Sequence, residues 1–231
     1  MEKLTLVIPL FNEEENINKL FYDLKKFNVY ELVDEVLFIN DGSTDNTTKL
    51  INDIKYNNSK VKFIDNNINM GQSYSIYIGC KNSKCDTIIT IDGDNQNNPK
   101  DIQKIVKEYI SNRDLHLVGG IRKIRKDNII KIYSSKIANL IRRRVLNDDC
   151  DDTGCSLKVF DRKTFLLFPY FNGIHRFLPA LFKGYGKKTK FIEVDHNPRI
   201  YGKSKYGTFK RLIGGIFDMI RVLIIINKLK K

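Results

Sequence analysis

Apolar residues fall along this chain in short runs separated by polar turns. Leu4–Leu10 and Glu35–Asn40 are the first two runs, and Val61–Ile64, Thr87–Ile91 and Leu115–Val118 repeat them. Such aliphatic or β-branched runs predict strands. Helical segments are predicted between them, over Glu13–Phe27, Thr44–Tyr56, Gly71–Asn82 and Pro99–Ser111, the last opened by a proline suited to a first helical turn. Strands alternating with helices at this spacing predict an α/β fold. The sheet is expected to be mostly parallel and Rossmann-like, with helices on both faces and a ligand site at the carboxyl ends of its strands.

The rhythm changes in the second half. Ile130, Tyr133, Ile137, Leu140 and Ile141 recur at helical spacing, with Lys131, Lys136 and Arg142–Arg144 mostly elsewhere around that helix. A turn-rich stretch, Asn147–Gly154, precedes an expected strand Ser156–Phe160. Near the end Leu212, Ile213, Ile216, Ile220, Leu223 and Ile224 return to helical spacing, followed by Lys228, Lys230 and Lys231. No internal repeat or linker interrupts the chain, so one domain over 1–231 is expected.

Charge sharpens the division. Residues 1–121 carry 14 basic and 18 acidic side chains, residues 122–231 carry 26 and 9, and the whole chain is +13. The basic back half therefore suits something anionic: nucleic acid, a phosphorylated substrate or an anionic membrane. With 42% hydrophobic and 29% charged residues the chain is globular and not disordered. No signal peptide is apparent, and no run reaches the ~20 apolar residues of a membrane span. Cys80, Cys85, Cys150 and Cys155 lack zinc-knuckle spacing and are expected as reduced thiols. His116, His175 and His196 show no metal-ligand spacing and are read as structural.

Candidate chemistry sits at the strand ends. Asp92-Gly93-Asp94 follows an apolar strand, and two carboxylates at this spacing can hold Mg²⁺ or Mn²⁺ against a diphosphate. Pro9–Ile17, Asn40–Thr47 and Asn69–Gln72 are further polar clusters at strand-to-helix turns, all expected on one face. Asp41 is placed to accept hydrogen bonds from a nucleobase or ribose, Gly71 to offer backbone N–H groups at a helix start, and Ser43 or Thr44 to cap a helix. No G-x-G-x-x-G follows the first strand, which argues against a dinucleotide oxidoreductase.

Taken in order, Ile8-Pro9-x-x-Asn12-Glu13-Glu14-Glu15-Asn16, Asp41-Gly42-Ser43-x-Asp45-x-Thr47, Asn69-x-Gly71 and Asp92-x-Asp94-x-Gln96 resemble the family 2 glycosyltransferases of the GT-A fold. Within them the chain looks like the dolichol-phosphate mannosyltransferase and bacterial polyprenyl-phosphate branch. Asp152–Phe160, His175–Pro179 and Arg199–Gly207 also have counterparts there, so the resemblance spans almost the whole chain. It implies an inverting transfer of a hexose-type sugar from a UDP- or GDP-sugar to a polyprenyl phosphate. Pro9, Phe11, Glu13 and Asp41 would line the nucleotide pocket. Asp92 and Asp94 would bind metal and diphosphate, with Gly93 between them and Gln96 alongside. Arg199 and Lys205 would close over the donor diphosphate, while Arg122, Lys131 and Ser135 would receive the lipid phosphate. Asp152 is the candidate base or orienting group. Asn40 and Lys131 depart from the aspartate and arginine of many relatives; a lysine keeps the charge but not bidentate phosphate binding.

These implications divide the chain into a nucleotide-sugar-binding half (1–121), a basic acceptor-binding part (122–206) and an amphipathic interfacial helix (207–231). The protein is then expected to be peripheral, on the cytoplasmic face of a membrane or bound to a membrane protein partner. A same-fold transferase acting on a soluble or cell-envelope saccharide shares the front half. A nucleic-acid-binding protein explains the basic half but not the acidic clusters, and a sugar-nucleotide-forming nucleotidyltransferase would want a Gly-rich loop after the first strand.

Overall fold

Strand β1 (Leu4–Leu10) buries Leu4, Leu6, Ile8 and Leu10 toward one face of a sheet and Val7 toward the other, as a central strand must. The structure is a computed structural model describing residues 2–123, 139–199 and 208–228, the side chains of 208–213 excepted. The sheet has seven strands in the order β3-β2-β1-β4-β6-β5-β7. Besides β1 these are β2 (Glu35–Asn40), β3 (Val61–Asp65), β4 (Thr87–Thr90), β5 (Leu115–Arg122), β6 (Lys158–Asp161) and β7 (Lys188–Val194). Only β6 is reversed, lying antiparallel between β4 and β5, so the sheet is mostly parallel as expected.

Helices cover both faces. On one lie α1 (Ile17–Lys26), α2 (Val29–Leu32), α3 (Thr47–Tyr56) and α5 (Lys100–Ser111), whose Leu20, Phe21, Ile51 and Ile105 join Leu6, Ile8 and Phe38. On the other lie α4 (Gln72–Asn82), the helical residues 139–146 (α6), α7 (Arg162–Leu167), α8 (Leu178–Gly184) and α9 (Thr208–Lys228). Ile76, Leu146, Phe165, Phe182, Val222 and Ile226 pack there with Val7, Leu37 and Ile39.

Three differences from the sequence reading have physical causes. Helices α1 and α3 begin at Ile17 and Thr47, three or four residues late, because the intervening polar side chains bond across turns. Strand β5 runs on to Arg122 because β7 pairs beside it as far as Arg122↔Val194. Strand β7 itself escaped notice: it is a lysine-bearing edge strand, half solvated and without an apolar run. All four cysteines are free and buried, as reduced thiols.

Helix α9 turns Asp218, Val222 and Ile226 inward, while Ile216, Phe217, Ile220 and Ile224 are exposed. Much of the apolar spacing seen in the sequence thus faces outward. No helix among the described residues is long and apolar enough to cross a membrane.

Candidate active site

The turns after β1 and β2 are stitched to one another. The Asn12 N–H donates to Ser43 Oγ at 2.9 Å, the Thr44 N–H to Asn12 Oδ1 at 2.8 Å and the Glu13 N–H to Thr47 Oγ1 at 2.9 Å. Ser43 and Thr44, expected as caps of α3, serve this seam instead, and Asn46 is the residue at the cap. Pro9 and Phe11 sit partly buried at the end of β1, and Glu13 is buried with its Oε2 accepting from Asn16 Nδ2 at 2.7 Å.

Asp41, at the end of β2, is buried, and its carboxylate accepts backbone N–H bonds from Met70 at 2.9 Å and Gly71 at 2.8 Å. It therefore fixes the entry to α4. The next residue, Gln72, donates from Nε2 to Asp92 Oδ1 at 2.6 Å. Ser73 follows; its hydroxyl accepts the Gly173 N–H at 2.8 Å and meets His175 Nδ1 at 2.6 Å. Three consecutive residues at the start of α4 thus join Asp41, Asp92 and His175.

Asp92 and Asp94 emerge just past β4. A Cβ on Gly93 would come within 2.2 Å of Leu10 Cδ2, so a larger residue in this turn would force the buried Leu10 side chain to move. Burial, then the neighbouring Asp94 charge, push the Asp92 carboxyl up to about 7, with Glu13 adding to the push and Ser156 and Lys158 opposing it. Asp94 is buried, and its Oδ1 accepts the Gln96 N–H at 3.1 Å. Its Oδ2 accepts from Arg199 Nη2, which also reaches Gln96 Oε1 at 3.3 Å. Arg199 crosses 105 residues of sequence to get there. After β7 the chain folds back along residues 95–97, through an antiparallel bridge Asn97↔His196 and an Asn197 N–H bond to Gln96 O at 2.8 Å.

Crowded carboxylates of this kind suit a divalent cation with hard oxygen preference, which would relieve their repulsion. Among the described residues no group of three or more His, Cys, Asp or Glu side chains forms a metal site. Asp92 and Asp94 would need phosphate oxygens of a ligand to complete a coordination shell, a usual arrangement for Mg²⁺.

At the end of β5, Arg122 grips Asp152 bidentately, Nε to Oδ2 at 2.6 Å and Nη2 to Oδ1 at 2.7 Å. The structure thus joins two residues that the sequence reading assigned separately. Lys131, Ser135 and Lys205 lie outside the described residues.

Sequence reasoning missed several neighbours. Ser156 Oγ accepts the Asp92 N–H at 3.1 Å and donates to Asn97 Oδ1 at 2.8 Å. Lys158 is buried, its ammonium donating to Cys155 O. The visible signal for Lys158 was a charge inside the apolar run Leu157–Phe160. Gln72 belonged to the polar cluster Asn69–Gln72 expected on this face, whereas Asn97 carried no comparable signal.

The family model described as "Glycosyl transferase family 2" matches residues 5–167. Dodecaprenyl-phosphate galacturonate synthase of Rhizobium johnstonii is 34% identical over 228 residues, covering 96% of this chain and 66% of that protein. Undecaprenyl-phosphate 4-deoxy-4-formamido-L-arabinose transferase of Proteus mirabilis is 31% identical over 225 residues, covering 96% and 68%. The chain spans about two thirds of the length of these curated relatives. Among solved structures, Mycobacterium tuberculosis glucosyl-3-phosphoglycerate synthase in complex with Mn²⁺ and UDP-glucose matches with a TM-score of 0.70 at 16% identity, covering 94% of this chain and 79% of that one. That likeness is one of fold.

Proposed function

The chain belongs to glycosyl transferase family 2, and on that premise we propose that it moves a hexose-type sugar from a UDP- or GDP-sugar to a polyprenyl phosphate, with inversion at the anomeric carbon. The observation that carries this reading is an acidic turn, Asp92–Asp94, just past β4 and held by the Arg199 guanidinium, with a second guanidinium, Arg122, at the end of β5 of the same sheet and bound by Asp152. The acceptor class is supported by the named activities of the Rhizobium and Proteus relatives.

Residues 1–121 would hold the donor, with the nucleoside against Pro9, Phe11, Glu13 and the loop that Asp41 fixes. Asp92 and Asp94 would hold Mg²⁺ or Mn²⁺, which supplies neutralisation of charge on the departing diphosphate. Arg199, Gln96 and Lys205 would bind the same diphosphate. Gly93 would keep the turn that carries both carboxylates packed against the end of β1. Arg122, Lys131 and Ser135 would orient the acceptor phosphate opposite the leaving group for in-line attack. That phosphate is anionic near neutral pH, so the attacking oxygen needs no deprotonation. Asp152, bound through both oxygens to Arg122, then acts as orienting group and not as base.

The outward stripe of α9, with Arg221 and Lys228 on the same helix, suits a helix lying in a membrane interface. The protein would work peripherally at the cytoplasmic face, alone or with a membrane protein partner, and without nucleic acid. The test is transfer of label from a panel of UDP- and GDP-sugars into organic-extractable lipid, with a short-chain polyprenyl phosphate and Mg²⁺ or Mn²⁺. Label in the lipid phase from one donor supports the reading. Metal-dependent donor binding with label only in a saccharide acceptor overturns it in favour of a same-fold saccharide transferase.

A further inference from the structure

Between residues 148 and 152 every carboxylate is paired with a base. Asp148 faces Arg142, Asp149 faces Lys183, Asp151 faces Arg143 and Asp152 faces Arg122. The two pairs through Asp149 and Asp151 are solvent-exposed and contribute little to holding the loop. The Asp148–Arg142 pair is buried, and in the Asp152–Arg122 pair the carboxylate is buried and the guanidinium partly so.

Arg142 is the hub. Its Nε lies 2.8 Å from Asp148 Oδ2, and its Nη2 donates to Asp148 Oδ1 at 3.3 Å and to the Cys150 carbonyl. Its Nη1 donates to Thr153 Oγ1 at 2.6 Å and to Asn139 Oδ1 at 2.8 Å. One side chain on α6 therefore takes hold of the loop at positions 148, 150 and 153. Asp152 lies inside that span and holds Arg122 through both oxygens, with a further bond from the Arg122 backbone N–H at 3.3 Å.

We propose that Arg142 is a positioning residue for the acceptor phosphate: it fixes the 148–153 loop so that Asp152 presents the Arg122 guanidinium in one orientation. This rests on the reading above in which Arg122 receives that phosphate. A buried ion pair is seldom the most stable way to pin a loop, since well-packed apolar side chains of similar size usually serve as well or better. What Arg142 provides and an apolar contact does not is a directional grip on a carbonyl, a hydroxyl and a carboxylate at once. A guanidinium displaced by about 1 Å from its phosphate loses on the order of 100-fold in productive alignment, so a fixed loop matters to the reaction.

The test compares Arg142→Met/Asp148→Leu, which removes both charges together, with Thr153→Val, which removes one bond and bares no charge. Thermal melting, circular dichroism and separate KM values for a UDP- or GDP-sugar and a short-chain polyprenyl phosphate are measured. The expected result is a folded double variant whose acceptor KM rises about 10- to 100-fold while donor KM stays within about twofold. Thr153→Val moves in the same direction by a smaller factor. Equal changes in both KM values, or none in a folded variant, overturn the proposal and leave Arg142 as scaffold. If the double variant does not fold, an unchanged acceptor KM in Thr153→Val overturns it alone. Arg122→Ala separates the two levels: if that variant leaves acceptor KM unchanged, the acceptor reading itself has failed.

Discussion

Arg199 donates to Asp94 Oδ2, so a carboxylate proposed to hold the divalent cation is also held by a guanidinium. Cation and arginine therefore compete for one oxygen. Substituting Arg199 by Ala is expected to tighten Mn²⁺ binding about tenfold without nucleotide, as a charge-assisted bond no longer has to be broken. The same variant should bind UDP or GDP more weakly. Titration calorimetry with Mn²⁺, with and without nucleotide, reads both; weaker Mn²⁺ binding in the variant would show that Arg199 supports the cation.

Asp94→Ala should lower transfer by about 1,000-fold, because the developing charge on the diphosphate loses its counter-charge. Its melting temperature should stay close to that of the parent, since the side chain lies in a turn and not in the apolar core. Transfer at parental rate in metal-free buffer would remove Asp94 from the mechanism.

The four thiols should be silent in the native protein. Burial pushes the Cys80 and Cys155 thiols up, and Cys150 up to about 12; burial likewise raises Cys85. Thiolate, the reactive form, is scarce at pH 8 in each case. Ellman's reagent at pH 8 should react slowly with folded protein and with all four cysteines after unfolding. A fast single equivalent from folded protein would contradict this.

Gly173 and Gly186 make a controlled pair. Both have positive φ, 106° and 73°, but a Cβ at Gly173 would meet Asp218 Oδ2 at 2.3 Å, whereas one at Gly186 meets nothing within 4 Å. Gly186→Ala should cost about 1 kcal/mol from backbone strain, and Gly173→Ala about 3 kcal/mol once the displaced Asp218 is added. Urea unfolding of the two variants gives the difference directly, and equal midpoints would show that α9 yields freely.

Replacing Ile216, Ile220 and Ile224 by Ser should leave melting almost unchanged, because their side chains are exposed. Sedimentation with anionic vesicles should fall by about 1 kcal/mol per substituted residue. Undiminished sedimentation would mean that this stripe faces something other than lipid.

The parallel sheet was legible because Leu4–Leu10 and Glu35–Asn40 are strands buried on both faces, and such strands read as nearly unbroken apolar runs. The acidic turn was legible too, since Asp-x-Asp after a strand has few other uses so close to a run of matching turns. What stayed hidden depends on partners distant in sequence. Asp41 spends both oxygens on the backbone of residues 70 and 71, which no local pattern announces. Arg142 looked like one more member of a solvated cationic stripe, and only the fold of the 148–153 loop around it shows a buried hub. Strand β7 lacked an apolar run because an edge strand need not have one.

Helix α9 is fastened at both ends of its described side chains. Asp218 pairs with Arg176 at 3.0 Å beside Gly173, and Ile226 packs where a Cβ on Gly184 would come within 2.5 Å. Two such contacts, eight residues apart, hold the helix against residues 173–184. The outward stripe is thereby tied to the loop that carries His175 and, through Ser73, to the start of α4. Were that stripe to rest on a membrane as proposed, the molecule would gauge height: a phosphate would have to project to one set level to be met, and the length of chain buried beneath that level would go unmeasured.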